Sequence, residues 1–182
     1  MRFLKALFLT TVFITASLIG FGKEITYEVF YGWLSAGRIT IDFEPQKVVV
    51  KGKSGGLIGL FYHYKLYMVY DLKNETQSFM VEKENSKERR YDFQKILQKK
   101  AWLPIVVKLL LETKNPPQKI AVGTYKVILK EVDNNTYTYR VEGSKRTKKV
   151  ILRYWKPPKF PEEIEIETTK GNLTLKRLNN YQ

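Results

Sequence analysis

The sequence predicts a mainly β protein, in which a strongly curved antiparallel sheet or incomplete barrel of about eleven strands holds one short inner helix. Three observations lead to this prediction. Apolar and polar residues alternate with a period of two along most of the chain, turn-forming segments separate the alternating runs, and one segment is continuously apolar. Short links between sequential strands favour antiparallel meanders over crossover connections.

The alternating runs place tyrosine and β-branched residues on one face and polar residues on the other. In the first run Ile25, Tyr27 and Val29 alternate with acidic and hydroxyl residues. Successive side chains of a strand point to opposite faces, so each run has one buried face and one solvated face. Further runs lie at residues 39–44, 64–72, 125–129, 137–141, 150–154 and 163–168.

Asparagine, aspartate and glycine mark the breaks between these runs. Because these residue types tolerate the positive φ that tight hairpins demand, the breaks are predicted to be turns. They lie at residues 73–75, 84–87, 133–135 and 170–172.

Residues 104–112 are predicted to form the inner helix. Pro104 can serve as the first residue of a helix. Apolar residues then occupy nearly the whole circumference, so the helix must be buried, and we expect it against the concave face of the sheet. The high content of β-branched residues leaves a fully buried strand as the alternative.

The first 22 residues have the layout of a secretory signal peptide. Arg2 and Lys5 form a basic start, and Gly20 and Gly22 place small residues three and one positions before Lys23. The apolar run between them is about 16 residues long, below the roughly 20 of a spanning helix. We predict residues 1–22 as signal and residues 23–182 as one β-rich periplasmic domain without a transmembrane helix. An uncleaved anchor is the alternative.

Composition narrows the environment and the partners of the exported domain. The chain has no cysteine, so neither a disulfide framework nor a lipidated N-terminal cysteine is available. Its formal net charge is +14. In the cytoplasm this charge would indicate nucleic acid. The export signal argues against nucleic acid and favours anionic lipid headgroups or acidic envelope polymers.

No residue cluster in the sequence indicates a reaction. His63 is the only histidine, so a two-histidine metal site is excluded, and we expect it to be a half-buried structural residue. Glu163, Glu165 and Glu167 share one strand face opposite isoleucines, which is typical of a solvated face and not of a desolvated general acid. We therefore predict a non-enzymatic protein with no catalytic residue, metal or cofactor.

Two further segments bear on binding. The apolar, glycine-rich residues 55–62 lie between predicted strands and form either a tight corner or the exposed lip of a ligand site. Basic residues cluster beside a predicted turn and form a predicted patch for anionic surfaces. These residues are Lys145, Arg146, Lys148 and Lys149.

Several short motifs resemble the bacterial domain-of-unknown-function 3108 family. The first reads Y-x-V-x-Y-G-x-L-x-A-G from Tyr27 to Gly37, and the others lie at residues 55–60, 89–93, 123–127, 161–165 and 171–175. The similarity covers nearly all of residues 24–178. It implies an exported, β-rich envelope protein whose curved sheet and inner helix are similar to the lipoprotein-localisation carriers and related lipid-binding half-barrels. It implies no catalytic residues.

The predicted function is non-enzymatic binding or carrying of a lipid or another apolar ligand in the cell envelope. A sheet that curls without closing leaves an apolar trough, which a ligand and the inner helix could both fill. The alternative is a structural or interaction module that docks an envelope protein or an anionic polymer through a strand edge or a basic patch. The residues predicted to line the trough and its lip are Leu60, Phe61, Tyr64, Trp102, Val106, Leu109 and Leu110.

The signal peptide can be tested directly. We expect the mature protein to begin at or near Lys23, because the small residues before it form the cleavage site. N-terminal sequencing and intact-mass measurement of protein from the soluble periplasmic fraction check this. An intact Met1 in the membrane fraction would instead identify an anchor.

Overall fold

The computed structural model describes residues 22–112, 116–155 and 160–178. The predicted signal segment therefore lies outside the described residues except for Gly22, and its cleavage stays a prediction. The first strand begins at Lys23, immediately after that segment. None of the helices in the described ranges has the length and the apolar content that a membrane span requires.

Strands make up most of the described chain. They are β1 Lys23–Tyr31, β2 Leu34–Phe43, β3 Lys47–Ser54, β4 Tyr64–Asp71, β5 Phe79–Glu84, β6 Lys87–Asp92, β7 Lys119–Val122, β8 Tyr125–Asp133, β9 Thr136–Glu142, β10 Thr147–Arg153, β11 Glu163–Thr168 and β12 Gly171–Arg177. The helices are α1 Gly56–Phe61, α2 Phe93–Lys100 and α3 Trp102–Leu111, with one 3-10 turn at Glu75–Gln77.

All twelve strands belong to one antiparallel sheet that does not close. Their order is β6-β5-β4-β3-β2-β1-β12-β11-β10-β9-β8-β7. The first and last strands of the chain therefore pair in the middle, where Val29 lies opposite Leu175. The edge strands β6 and β7 are joined through α2 and α3. The predicted open antiparallel architecture is confirmed, with twelve strands where the sequence indicated about eleven.

The sheet is strongly rolled. Strands lie about 4.8 Å apart, so a flat sheet of this size would separate β6 from β7 by about 50 Å. Instead, Glu75 between β4 and β5 accepts a hydrogen bond of 2.9 Å from the backbone N–H of Gly123, in the turn between β7 and β8. A side chain at Gly123 would lie 2.4 Å from Leu97, so the two halves of the sheet and α2 meet closely here. One hollow face results, and the core fills it.

The predicted alternation and turns are confirmed. Ile39 and Ile41 are buried on the inner face. Arg38, which precedes Ile39 and points to the other face, is exposed. Two of the predicted turns place asparagine at positive φ, with Asn85 at 53° and Asn134 at 40°. Asparagine visits this region more readily than most residues, which explains its position there.

The inner helix was predicted at residues 104–112, and α3 confirms a helix with slightly different bounds. The alternative of a buried strand is wrong. Seven of its ten residues are buried, and Lys108 reaches out to the backbone oxygen of Ala121 and to Glu75. Pro104 lies in the first turn, where it removes no helical hydrogen bond.

The sequence predicted one inner helix, but the structure has two, because α2 precedes α3. Asp92 caps α2 by accepting a hydrogen bond of 2.8 Å from the N–H of Lys95. Phe93, Ile96 and Leu97 are its buried residues, and their spacing of three and four positions forms one apolar stripe. Together α2 and α3 cover the hollow face of the sheet.

Two of the leucines predicted to share one trough lie in opposite environments, which provides a test. Leu110 is 0% exposed in the core and Leu60 is 70% exposed on α1. We expect Leu110→Ala to lower the free energy of unfolding by about 2–5 kcal/mol, because a cavity remains in a packed core. The matched Leu60→Ala should change it by less than about 0.5 kcal/mol. Urea unfolding of both variants measures this, and equal effects would contradict the described packing.

Candidate functional site

The inner face of the sheet retains one small apolar cavity, beside the junction of α2 and α3. Its volume is about 140 Å³. The apolar side chains of its wall are those of Val29, Ala36, Ile39, Leu66 and Trp102. It is smaller than a pocket for a drug-sized ligand, which measures about 300–1,000 Å³. A dry apolar cavity of about 150 Å³ in another protein nevertheless binds benzene.

The cavity exists because two adjacent strands have glycine at inward positions. Gly37 of β2 lies between Val29 and Ser54, and Gly52 of β3 lies between Ile39 and Leu66. Neither glycine contributes a side chain to the space beneath the helices. Gly37 also has φ +148°, and a Cβ there would lie 2.1 Å from the backbone oxygen of Lys53. The gap is therefore built into the backbone.

A partly buried ion pair lies at the mouth of the cavity. Glu82 occupies an inward position of β5 and is 8% exposed. It accepts a hydrogen bond of 2.6 Å from the Tyr64 hydroxyl and pairs with Lys100 Nζ at 3.0 Å. Lys100 is the last residue of α2 and lies 5.2 Å from the centre of the Tyr64 ring. A cation at a helix C-terminus is also favoured by the helix dipole.

The electrostatics of this cluster favour a structural role. Burial opposes ionisation of Glu82, but the hydrogen bond from Tyr64 and the charge of Lys100 outweigh it, so the pKa of Glu82 lies below its usual value. Burial and the bond to Glu82 raise the pKa of Tyr64. A general acid or base needs a pKa near the working pH, and neither group has one. The cluster instead fastens the end of α2 to β4 and β5.

The seven residues predicted to line the trough and its lip do not form one site. Tyr64 and Trp102 line the cavity. Val106, Leu109 and Leu110 are buried in the core and are absent from its wall. Leu60 and Phe61 project from α1, so the glycine-rich segment forms an exposed apolar helix.

The four residues of the predicted anionic-surface patch are largely engaged within the protein. Lys149 pairs with Glu167 at 2.8 Å. Arg146 donates to the backbone oxygen of Lys99 at 3.5 Å, and Lys148 donates to that of Ser144 at 3.4 Å. Lys145 is exposed.

The histidine and the acidic strand face lie outside the wall of the cavity. His63 is exposed, which corrects the expected half-buried position, and its backbone bonds to Asn85. Glu163 and Glu165 pair with Arg153 on the solvated face. Across the described ranges, no three histidine or carboxylate side chains are grouped as a metal site would require.

Sequence reasoning missed Glu82, Lys100 and the two inward glycines. Glu82 had a detectable signal, because it has the same parity as the buried Met80 and is therefore a charge on a core-facing position. No sequence signal indicated that Lys100 would pair with Glu82, because α2 was not predicted.

Comparison with known proteins adds one relative. No family model matches the chain. A protein of Aquifex aeolicus (strain VF5), described as an uncharacterized protein, is 28% identical over 165 residues, which cover 86% of this chain and 84% of that protein. Because its description states no function, the resemblance to the domain-of-unknown-function 3108 family stays a prediction.

The ion pair predicts a pH dependence of stability. Since the pKa of Glu82 is lowered in the folded state, its ionised form stabilises the protein above the usual glutamate pKa, and this contribution disappears as the pH falls through the folded value. We expect Glu82→Gln to lower the free energy of unfolding by about 1–3 kcal/mol at neutral pH and by much less at about pH 3.

Denaturant unfolding of wild type and variant at both pH values measures this difference. Glu88→Gln is the matched control, because Glu88 is exposed on β6, and its effect should be small at both pH values. A Glu82→Gln effect that does not change with pH would contradict the described pairing.

Proposed function

We propose that this protein binds an amphipathic lipid, with its apolar end in the cavity and an anionic head at the mouth, and that it does so without catalysis in the periplasm. The observation that supports this is the composition of the cavity. Apolar side chains form its wall, and Lys100 stands at its mouth beside Glu82. An apolar interior with a few convergent charged groups is the usual form of a small-molecule site.

The cavity volume limits the ligand. About 140 Å³ accepts a ring or the end of an acyl chain, but not a whole lipid. A longer chain would require α3 to move away from the sheet. The rest of the ligand would extend along the mouth, where the charge of Lys100 is already balanced by Glu82. An anionic head is therefore proposed to compete with Glu82 for Lys100, because Arg38 and Lys53 point to the outer face of the sheet.

The alternative of docking through a strand edge has less support. The edge strand β6 exposes Lys87, Glu88, Arg89 and Arg90. Charged edges discourage pairing with another strand. The other edge strand, β7, is only four residues long. Neither edge offers the long, apolar strand that β-augmentation favours.

A cavity-filling substitution tests the proposal. Val29 lies on the wall of the cavity, so Val29→Phe should occupy the space. Val132→Phe makes the same change at a 55% exposed position of β8 and serves as the control. We expect palmitate and lysophosphatidylglycerol to stabilise wild type and Val132→Phe against unfolding, by about 2.7 kcal/mol at about 100 times the Kd. Val29→Phe should lose this stabilisation.

Thermal unfolding with increasing amounts of each probe, below its micelle concentration, makes the measurement. Above the Kd, the stabilisation should grow with the logarithm of the free probe concentration, because one site binds the folded state. If neither probe stabilises the wild type, or if Val29→Phe responds as strongly as Val132→Phe, the cavity is not a lipid site.

A further inference from the structure

The outer face of β2–β5 carries a row of like charges. Arg38, Lys53, Lys65 and Lys83 are consecutive cross-strand partners on four neighbouring strands. Directly opposite residues have Cβ atoms about 5 Å apart, and like charges in such pairs destabilise a sheet. With Lys51, these residues form the basic face, which lines an open groove of about 600 Å³. Repulsion within this row lowers the stability of the sheet, so the folded structure alone does not explain why the row is there.

The basic face has no ion-pair partner among the described residues. In the described part of the chain, no carboxylate lies within ion-pair distance of its five residues. The outer face of β9–β12, by contrast, carries five ion pairs. Nearby acids are few. Glu24 lines the groove, and Glu28 faces Arg38 in register but accepts a hydrogen bond from Ser35. Glu88 faces Lys83 on the edge strand.

An exposed apolar cluster adjoins the basic face. Helix α1 follows β3 directly, and the N–H of Gly55 donates to the oxygen of Ala36, which holds α1 beside the turn between β1 and β2. Two side chains there are the most exposed large apolar residues within the described ranges, Phe61 at 88% and Trp33 at 85%. The apolar rim consists of Trp33, Leu57, Leu60 and Phe61.

We propose that the basic face and the apolar rim together form a docking surface for an anionic lipid bilayer. Peripheral membrane binding combines apolar side chains that enter the acyl boundary with basic side chains that meet anionic headgroups. A soluble acidic polymer would balance the charges but would leave the rim in water. The bilayer is the partner that satisfies both features.

This inference goes beyond the proposed function and does not depend on it, because docking requires no occupied cavity. The two are separated by residue choice. Lys51, Lys65 and Lys83 belong to the basic face but are absent from the cavity wall, whereas Val29 lines the cavity on the inner face. Failure of one proposal therefore leaves the other measurable.

The experiment is co-sedimentation of the mature protein with vesicles. One set contains phosphatidylcholine alone, and the other contains about one third phosphatidylglycerol. The first variant combines Lys51→Gln, Lys65→Gln and Lys83→Gln. Its control removes the same charge from the predicted turn patch through Lys145→Gln, Arg146→Gln and Lys148→Gln. The rim variant combines Leu57→Ser with Phe61→Ser, and its control combines Val132→Ser with Trp155→Ser, at 55% and 78% exposed positions.

We expect wild type to bind the anionic vesicles in a salt-sensitive manner and to bind phosphatidylcholine weakly. The basic-face variant should bind the anionic vesicles about 100-fold less tightly, and the turn variant should stay within about threefold of wild type. The rim variant should also lose binding, while its control keeps it. Thermal unfolding checks folding, and the basic-face variant should be at least as stable as wild type because its like-charge row is relieved.

Four results would each overturn the proposal. Equal losses in the basic-face and turn variants would assign the binding to net charge. Wild-type affinity in the rim variant would remove the apolar rim from the surface. Binding to heparin without binding to anionic vesicles would identify a site for soluble polyanions. No binding of the wild type to either vesicle would reject docking outright.

Discussion

The fold depends on how the apolar face of an open sheet is kept from water. Twelve strands with one apolar face each could not remain in solution as an exposed sheet, and no strand pairing joins β6 to β7 to seal it. The chain solves this by running α2 and α3 across the hollow face between the two edges. A helix apolar on nearly every side, as α3 is, is stable only in such an enclosed place. The roll of the sheet and the burial of the helices therefore require each other.

Packing of that face is nearly complete, and the exception is local. Gly37 and Gly52 omit two side chains from neighbouring strands, and the space they leave stays open beneath Trp102. The polar cluster of Tyr64, Glu82 and Lys100 borders the same space and holds α2 in position. An ionised carboxylate at a core-facing position is tolerated because both partners satisfy it. These polar contacts thus border the cavity and hold the end of α2 beside it.

The outer face has two halves with different charge patterns, one on β2–β5 and one on β9–β12. On β9–β12 acidic and basic residues alternate between strands and pair with one another, as Arg153 does with Glu163 and Glu165. On β2–β5 the corresponding positions are basic on successive strands. Among the described residues, unpaired basic side chains are therefore concentrated on this half of the outer face. A lysine-rich composition becomes an oriented field only through this strand order.

Local chemistry was readable from the sequence, because a period of two, a turn residue or an all-apolar segment acts over a few positions. The strands, the asparagine turns at Asn85 and Asn134, the open antiparallel architecture and a buried α3 all follow from such patterns. Even α2 had its cap and its apolar stripe in the sequence.

The site followed from register and strand order, which the tertiary structure alone decided. Lys53, Lys65 and Lys83 are far apart in the chain and become neighbours only when β3, β4 and β5 pair as they do. Val106, Leu109 and Leu110 were predicted to line a trough. The sequence of an apolar helix does not distinguish a helix that lines a cavity from one that fills it. Which of the two occurs depends on what the facing strands contribute, and here glycine left space beside Trp102 while larger side chains closed it elsewhere.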